Sequence, residues 1–306
     1  MLSINIRALP RKEYLCRGNA ACPGCPETLG LRYVGMALGD KAVLVVPAGC
    51  SSVIQGMGPK NGFAIPTLNI VFAAAAATAS GLARALRRRG VDAQVVVWAG
   101  DGGTADIGLQ ALSGAAERGE NIIYICVDNE AYMNTGIQRS SLTPYGAWTT
   151  TSYQGKRGHK KPMPEIMAAH RIPYVATASI GYPWDFIAKL RKAAKIKGFK
   201  YIHLHAPCPV GWRFDPSLTV QMAKLAVETG MWILYEYENG RLKLNPPSNR
   251  LLNPSKRKPI EEYIRLQGRF KHLTEKDIEE LKKYVEQNWA NIKAMLEAQE
   301  KQQSSS

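Results

Sequence analysis

The sequence predicts an α/β fold built on a doubly wound parallel sheet. Three features predict it: short continuous runs of β-branched apolar residues, helical stretches between them, and glycine-rich turns where the runs end. Runs of this kind suit strands covered on both faces, and regular alternation with helices argues for parallel pairing. In chain order, residues 27–38 read as a helix, 42–46 (AVLVV) as a buried strand and 67–89 as a long helix. A strand at 94–98 (QVVVW), a helix at 105–118 and a strand at 122–127 (IIYICV) follow. Residues 174–176 and 201–205 are weaker strands, and 183–197 and 217–228 further helices. After about Gly240 the composition changes. Residues 245–259, rich in Pro, Asn, Ser, Lys and Arg, read as an extended linker or arm. A long helix with charged faces follows over 274–300, with Thr274 and Asp277 as its N-cap pair, and 302–306 reads as a disordered polar tail. The expected division is a main domain over 1–240 and a C-terminal arm and helix over 241–306.

No apolar stretch approaches the roughly 20 residues of a membrane span. Residues 1–11 carry no apolar segment ahead of a small-residue cleavage site, so the expected location is the cytoplasm. The formal net charge of +15 points to a solvated basic surface or to an acidic partner, subunit or polyphosphate. Nucleic acid is disfavoured, because the basic residues are scattered and follow no recognition motif. Arg87-Arg88-Arg89 closes a predicted helix, where cations offset the negative end of the dipole. Lys156-Arg157-Gly158-His159-Lys160-Lys161 lies in a predicted loop that could touch a ligand phosphate or a partner.

The most informative segment is Trp98-Ala99-Gly100-Asp101-Gly102-Gly103-Thr104-Ala105-Asp106, between a predicted strand and helix. Glycines there let the backbone turn and approach a ligand closely, and a helix N-terminus favours phosphate. Asp101 offers a carboxylate to a hard divalent cation, and Mg²⁺ commonly bridges protein oxygens to phosphate oxygens. A glycine-flanked Asp alone is common. Twenty-six residues separate Gly102 from Asn129, which follows the next strand and supplies a second oxygen ligand nearby if the strands neighbour each other. The pair resembles the diphosphate-binding motif of thiamine-diphosphate enzymes. The resemblance implies Asp101, Asn129 and the backbone carbonyl of Ala131 as magnesium ligands.

Six cysteines occur, and a disulfide framework is improbable in a cytosolic chain of this size. Cys22-Pro23-Gly24-Cys25 precedes a helix without a strand leading into it, which disfavours a thioredoxin-like redox pair. Cys50 and Cys208 follow predicted strands in loops rich in Gly and Pro, whereas Cys126 sits inside a strand like a core residue. Four thiolates suffice for a [4Fe-4S] cluster or for zinc, although the irregular spacing does not suit a compact zinc ribbon. Asp101, Asn129, Cys50 and Cys208 all lie past strand ends. Parallel pairing would project them from one sheet edge, where α/β proteins bind ligands. Decarboxylation chemistry at a thiamine site leaves electrons that a neighbouring cluster accepts singly, whereas zinc is redox-inert.

Longer strings carry a closer resemblance. These are Gly100 to Gln110 (GDGGTADIGLQ), Asp128 to Gln138 (DNEAYMNTGIQ), Thr143 to Thr150 (TPYGAWTT), His170 to Tyr174 (HRIPY), Cys208 to Trp212 (CPVGW) and Leu266 to Phe270 (LQGRF). From about Asn19 to Leu273 the chain resembles the β subunit of pyruvate and branched-chain 2-oxoacid:ferredoxin oxidoreductases. The resemblance implies oxidative decarboxylation of a 2-oxoacid on thiamine diphosphate, electron transfer to ferredoxin and acyl transfer to coenzyme A. It places both cofactors in the domain over 1–240. It assigns Cys22, Cys25, Cys50 and Cys208 to a proximal [4Fe-4S] cluster and puts Asn134 beside the thiazolium and substrate, although Asn134 also suits a turn before Gly136. The cofactor-binding set it gives is Gly49, Cys50, Gly100, Asp101, Gly102, Gly103, Asn129 and Asn134. Thr135, Arg139 and His159 are polar candidates without an assigned role, His203 and His205 are expected to be structural, and Cys16 and Cys126 to have no ligand role. Pro26-Glu27 and residues 56–66 depart from the commoner pattern and leave the 2-oxoacid open between pyruvate, branched-chain and oxalate types. Implied partners are α, γ and δ subunits, or fusions of them, and ferredoxin, with no membrane or nucleic acid. The α subunit would supply the carboxylate that activates the aminopyrimidine. The alternative outside this family is a non-catalytic zinc module that docks nucleic acid.

Overall fold

The computed structural model describes residues 12–304. Its sheet has eight strands: β1 (Ala42–Pro47), β2 (Thr67–Ile70), β3 (Gln94–Gly100), β4 (Ile123–Asp128), β5 (Tyr174–Ser179), β6 (Lys200–His205), β7 (Tyr235–Glu238) and β8 (Arg241–Leu244). Their spatial order is β2-β1-β3-β4-β6-β5-β7-β8, parallel through β5 and antiparallel at the last two pairings. The helices are α1 (Pro26–Leu38), α2 (Cys50–Gln55), α3 (Ala75–Arg88), α4 (Asp101–Ala105), α5 (Leu109–Glu117), α6 (Met163–Ala169), α7 (Pro183–Lys195), α8 (Pro209–Trp212), α9 (Thr219–Glu228), α10 (Ser248–Leu251), α11 (Ile260–Ile264) and α12 (Glu275–Ser304). None of the described helices is long and apolar enough to cross a membrane.

Strand side chains alternate between two cores, as the pleat requires. In β3, Val96 and Trp98 join the layer that holds Leu31, Val34, Phe186 and Leu190 of α1 and α7. Val95, Val97 and Ala99 join the opposite layer, with Ala79, Leu112 and Met167 of α3, α5 and α6. Cys126 belongs to that second layer and is fully buried. A third cluster seats Leu281, Val285 and Trp289 of α12 against Val227, Leu251, Ile260 and Phe270.

All five expected strands form, within one to three residues of their expected ends. The expected helix over 67–89 does not form as a unit. Thr67 to Ile70 is a parallel edge strand on β1, and the helix starts at Ala75. The β-branched Thr and Ile favour extended backbone, and pairing with β1 outweighs the helical bias of the alanines that follow. The expected helix over 105–118 is likewise broken at residues 106–108. The hairpin β7–β8 was not anticipated; Asn239 and Gly240 turn it with φ of 47° and 81°. Residues 245–259 hold α10 and a 3₁₀ turn rather than an extended linker, with Ser248 and Leu251 buried. Helix α12 runs to Ser304, past the start of the expected tail; residues 1–11 and 305–306 lie outside the described residues.

The connection leaving β1 goes to β2 on one side, and that leaving β3 goes to β4 on the other. The carboxyl ends of β1 and β3 therefore flank a topological switch point, the crevice where α/β sheets bind ligands.

Candidate functional site

A cavity of about 210 Å³ occupies that crevice. Pro47, Gly49 and Cys50, leaving β1, form one wall, and Gly100 to Gly103, leaving β3, another. Asn129, Ala131, Met133, Asn134 and Thr135, beyond β4, close it, with Phe72 and Tyr132 at the side. Pairing of Ala99 with Cys126 and Gly100 with Val127 brings the β3 and β4 exits side by side, so Asp101 and Asn129 step off neighbouring strands.

Asp101 is 2% exposed and accepts a 2.5 Å hydrogen bond from the Ser140 hydroxyl. Burial first, and the nearby Asp128 charge second, push its carboxyl well above the usual range, so a cation would be needed to hold it ionised. The Nδ2 of Asn129 donates to Glu27 at 3.2 Å, and Trp212 Nε1 donates to the Asn129 carbonyl at 2.8 Å. Its buried Oδ1 has no hydrogen-bond partner. An orphaned buried acceptor is rare in a native fold and asks for a missing partner. A Cβ built on Gly100 would meet no atom within 4 Å, so the backbone there borders open cavity. A buried carboxyl that a cation would hold ionised, a free amide oxygen and a bare backbone fit a magnesium diphosphate. The residues present thus suit the group that the motif implies.

The four candidate cluster thiols come from separate segments. Cys25 caps α1, Cys50 begins α2, and Cys208 caps α8, its sulfur accepting from the Gly211 N–H at 3.4 Å. Cys22 is exposed, and its carbonyl accepts from the Cys25 N–H at 3.1 Å. Burial, then the Glu27 charge, pushes Cys25 up to about 12 and Cys50 higher still. Burial also pushes Cys208 up to about 11. Cys25, Cys50 and Cys208 each feel charge on others of the set, so the thiols share one neighbourhood and would need cationic metal to exist together as thiolates. Among the described residues no three His, Cys, Asp or Glu side chains gather closely enough to hold a single ion. Cys126 faces the opposite layer, and Cys16 pairs its backbone with Gly62.

Sequence reasoning missed Glu27, noting it only as a departure from pattern. It is 5% exposed, lines the cavity, and bonds both Asn129 and the Ser51 hydroxyl, which also accepts from Trp98 Nε1 at 2.9 Å. Its place in the first turn after the CxxC pair was the available signal. Asn134 and Thr135 stand exposed at the cavity mouth. Arg139 lines a separate shallow depression.

The basic loop also makes contacts within the chain. Lys156 donates to the carbonyls of Ser141 and Thr143, Arg157 pairs with Asp277 at 2.7 Å, and His159 stacks on Tyr284. Lys160 pairs with Asp128 and Glu130, and Lys161 reaches the Ala105 carbonyl. Each cation of the loop is thus engaged within the chain. His203 and His205 are structural: the first bonds Asp128 and Tyr201, and the second sits by Trp212 and Trp232, where burial pulls it down to about 4.

Residues 47–204 match the family described as thiamine pyrophosphate enzyme, C-terminal TPP binding domain. Pyruvate synthase subunit PorB of Methanothermobacter marburgensis is 55% identical over 284 residues, covering 91% of this chain and 96% of that protein. Ketoisovalerate oxidoreductase subunit VorB of Pyrococcus furiosus is 51% identical over 301 residues, covering 94% and 95%. The solved 2-oxoglutarate:ferredoxin oxidoreductase from Magnetococcus marinus superposes with a TM-score of 0.57 at 22% identity, over 71% of this chain and 82% of that one, and shares the fold. A glycine-lined crevice at the switch point, matched by relatives over nearly the whole chain, places this protein in the family of TPP-binding PorB and VorB subunits of 2-oxoacid:ferredoxin oxidoreductases.

Proposed function

We propose that the chain, with partner subunits, carries out oxidative decarboxylation of a 2-oxoacid, with pyruvate favoured, and passes the electrons to ferredoxin and the acyl group to coenzyme A. The observation that carries this is the unpartnered Oδ1 of buried Asn129, on a residue lining the same cavity as Asp101 and Cys50. Asp101, Asn129 and the Ala131 carbonyl hold Mg²⁺, and the bare backbone of Gly49 and Gly100 to Gly103 admits the diphosphate. Thiamine diphosphate, when bound, supplies the electron sink for decarboxylation. Phe72, Trp98 and Met133 keep water from that space, and Asn134 at the mouth orients the substrate. Cys22, Cys25, Cys50 and Cys208 would hold a [4Fe-4S] cluster, and redox chemistry there requires iron rather than zinc. The cytoplasm, with its reducing thiol pool, suits free cysteines. The carboxylate that activates the aminopyrimidine comes from an α subunit, and γ and δ subunits, separate or fused, complete the assembly. A branched-chain 2-oxoacid is the second reading, supported by the VorB relative.

Anaerobic purification with co-purifying partners, followed by counts of iron, acid-labile sulfide and zinc, tests the proposal. About four iron and four sulfide per chain, lost in Cys50→Ala, are expected. Pyruvate-dependent reduction of ferredoxin should then exceed that with 2-oxoisovalerate. One zinc without iron would overturn the electron-transfer reading.

A further inference from the structure

The mechanism above leaves one dense charge network unused. Asn129 stands between two buried carboxylates, Asp128 and Glu130. Lys160 Nζ binds both, at 2.6 Å to Asp128 and 2.8 Å to Glu130, with 13% of its side chain exposed. The other Asp128 oxygen accepts from the Glu130 N–H at 3.1 Å. The other Glu130 oxygen takes a 2.6 Å bond from Arg269, which stacks 3.7 Å above Trp212, whose Nε1 holds the Asn129 carbonyl. Glu130 itself has φ of 69°, a left-handed conformation costly for a residue with a Cβ. The segment is therefore held on both sides of Asn129 in a shape it would not keep by itself. Lys161, the next residue, turns to the other strand exit: its Nζ reaches the Ala105 carbonyl and lies 3.7 Å from Asp106.

We infer that Lys160, with Lys161 beside it, is a positioning brace that ties the two strand-end loops together and fixes Asn129 relative to Asp101 for Mg²⁺. The inference rests on the metal site proposed above. A lysine suits the task because one compact ammonium can serve two carboxylates at once, whereas a single ion pair would restrain only one side of the loop. Partners that orient a metal ligand from behind typically govern metal affinity by about 10- to 100-fold.

The test uses the full chain with its co-purifying partners and Mn²⁺ as an EPR-visible stand-in for Mg²⁺, titrated in the presence of thiamine diphosphate. Variants are Lys160→Met, Lys160→Arg and the charge-compensated Lys160→Met/Asp128→Asn, with Asn129→Ala as the control. Lys160→Met should weaken Mn²⁺ binding roughly 10-fold or more with iron content unchanged, and Lys160→Arg should recover most of it. If Lys160→Met does not fold, the compensated pair gives the reading. A folded variant of either kind that binds Mn²⁺ within about twofold of wild type, while Asn129→Ala binds weakly, overturns the brace and leaves the metal site standing. Unchanged binding in Asn129→Ala overturns the metal-site reading, and the brace with it.

Discussion

Alanine substitutions at two neighbouring glycines should have opposite effects. Gly100 has φ of −65° and ψ of 167°, open to any residue, and a Cβ there meets nothing within 4 Å. Gly100→Ala should therefore keep or raise stability, by about 0.4–1 kcal/mol through the unfolded chain. Its methyl group projects into space that the proposed diphosphate needs. A misfit of about 1–3 kcal/mol there weakens binding roughly 5- to 150-fold, at about 1.4 kcal/mol per factor of ten. Gly102 lies inside α4, where alanine would gain about 1 kcal/mol in helix propensity. Its Cβ, however, would stand 2.3, 2.5 and 2.7 Å from Cε1, Cζ and Cδ1 of Tyr132. That ring is held by a 2.7 Å bond from its hydroxyl to Asp106 and by an edge contact with Phe72, so moving it sacrifices about 1 kcal/mol of bonding on top of about 1–3 kcal/mol of overpacking. Gly102→Ala should thus lose about 1–3 kcal/mol net. Thermal melts without cofactor, and calorimetric titration with thiamine diphosphate and Mg²⁺, separate the two effects. Wild-type cofactor affinity in Gly100→Ala would refute placement of the diphosphate against this backbone.

Two further predictions concern the elements that frame the site. Thr274 Oγ1 accepts from the Asp277 N–H at 3.3 Å while Asp277 accepts from the Thr274 N–H at 3.0 Å, so Thr274→Ala should cost about 1 kcal/mol and raise hydrogen exchange in the first turn of α12. The Thr274 hydroxyl and N–H, with Arg157, hold Asp277 well below the usual carboxylate range. Its contribution is therefore complete above the unfolded value near pH 4 and lost as pH falls below it, a loss that melts of Asp277→Asn between pH 5 and 2 should lack. Lys156 is pulled down to about 8 by burial, so above that pH the unfolded chain carries the extra proton and wild-type stability should rise relative to Lys156→Met up to about pH 10. A stability difference between the two proteins that stays flat over that range would count against a buried Lys156.

What could be read from the sequence was local chemistry, and what could not was a matter of pairing. The β-branched runs at β1, β3 and β4 announce strands because both faces are buried, and strand-end Asp101 and Asn129 follow from that placement. β2 was hidden because an edge strand next to an alanine-rich helix carries little burial signal of its own. The β7–β8 hairpin did have one: Asn239-Gly240 between YEYE and RLKL is a strong two-residue turn signal. The contacts of the basic loop were hidden because charge in sequence does not say which carboxylates it meets. Its partners Asp128, Glu130 and Asp277 lie about 30 to 120 residues away along the chain.

Glu27 escaped notice for the same reason, and its bonds carry the last prediction. One of its oxygens accepts from Ser51, which neighbours Cys50, and the other accepts from Asn129. Cys25 lies two residues before it, so one buried carboxylate joins the segments that bear two candidate cluster thiols to the segment that bears a candidate metal ligand. Burial pushes this carboxyl upward and the Ser51 and Asn129 bonds pull it back, so the arrangement depends on both donors being present. Ser51→Ala removes one of them and also strips Trp98 Nε1 of its acceptor. Leaving buried groups unsatisfied costs about 1–3 kcal/mol apiece, which sets the expected loss for Ser51→Ala. Glu27→Gln keeps the shape but not the charge, and should cost less. If Glu27 links the thiol wall to the metal loop, the double variant should depart from additivity by about 0.5–3 kcal/mol in chemical denaturation. Strict additivity would mean that Ser51 and Glu27 act independently and that the two halves of the site are neighbours without being coupled.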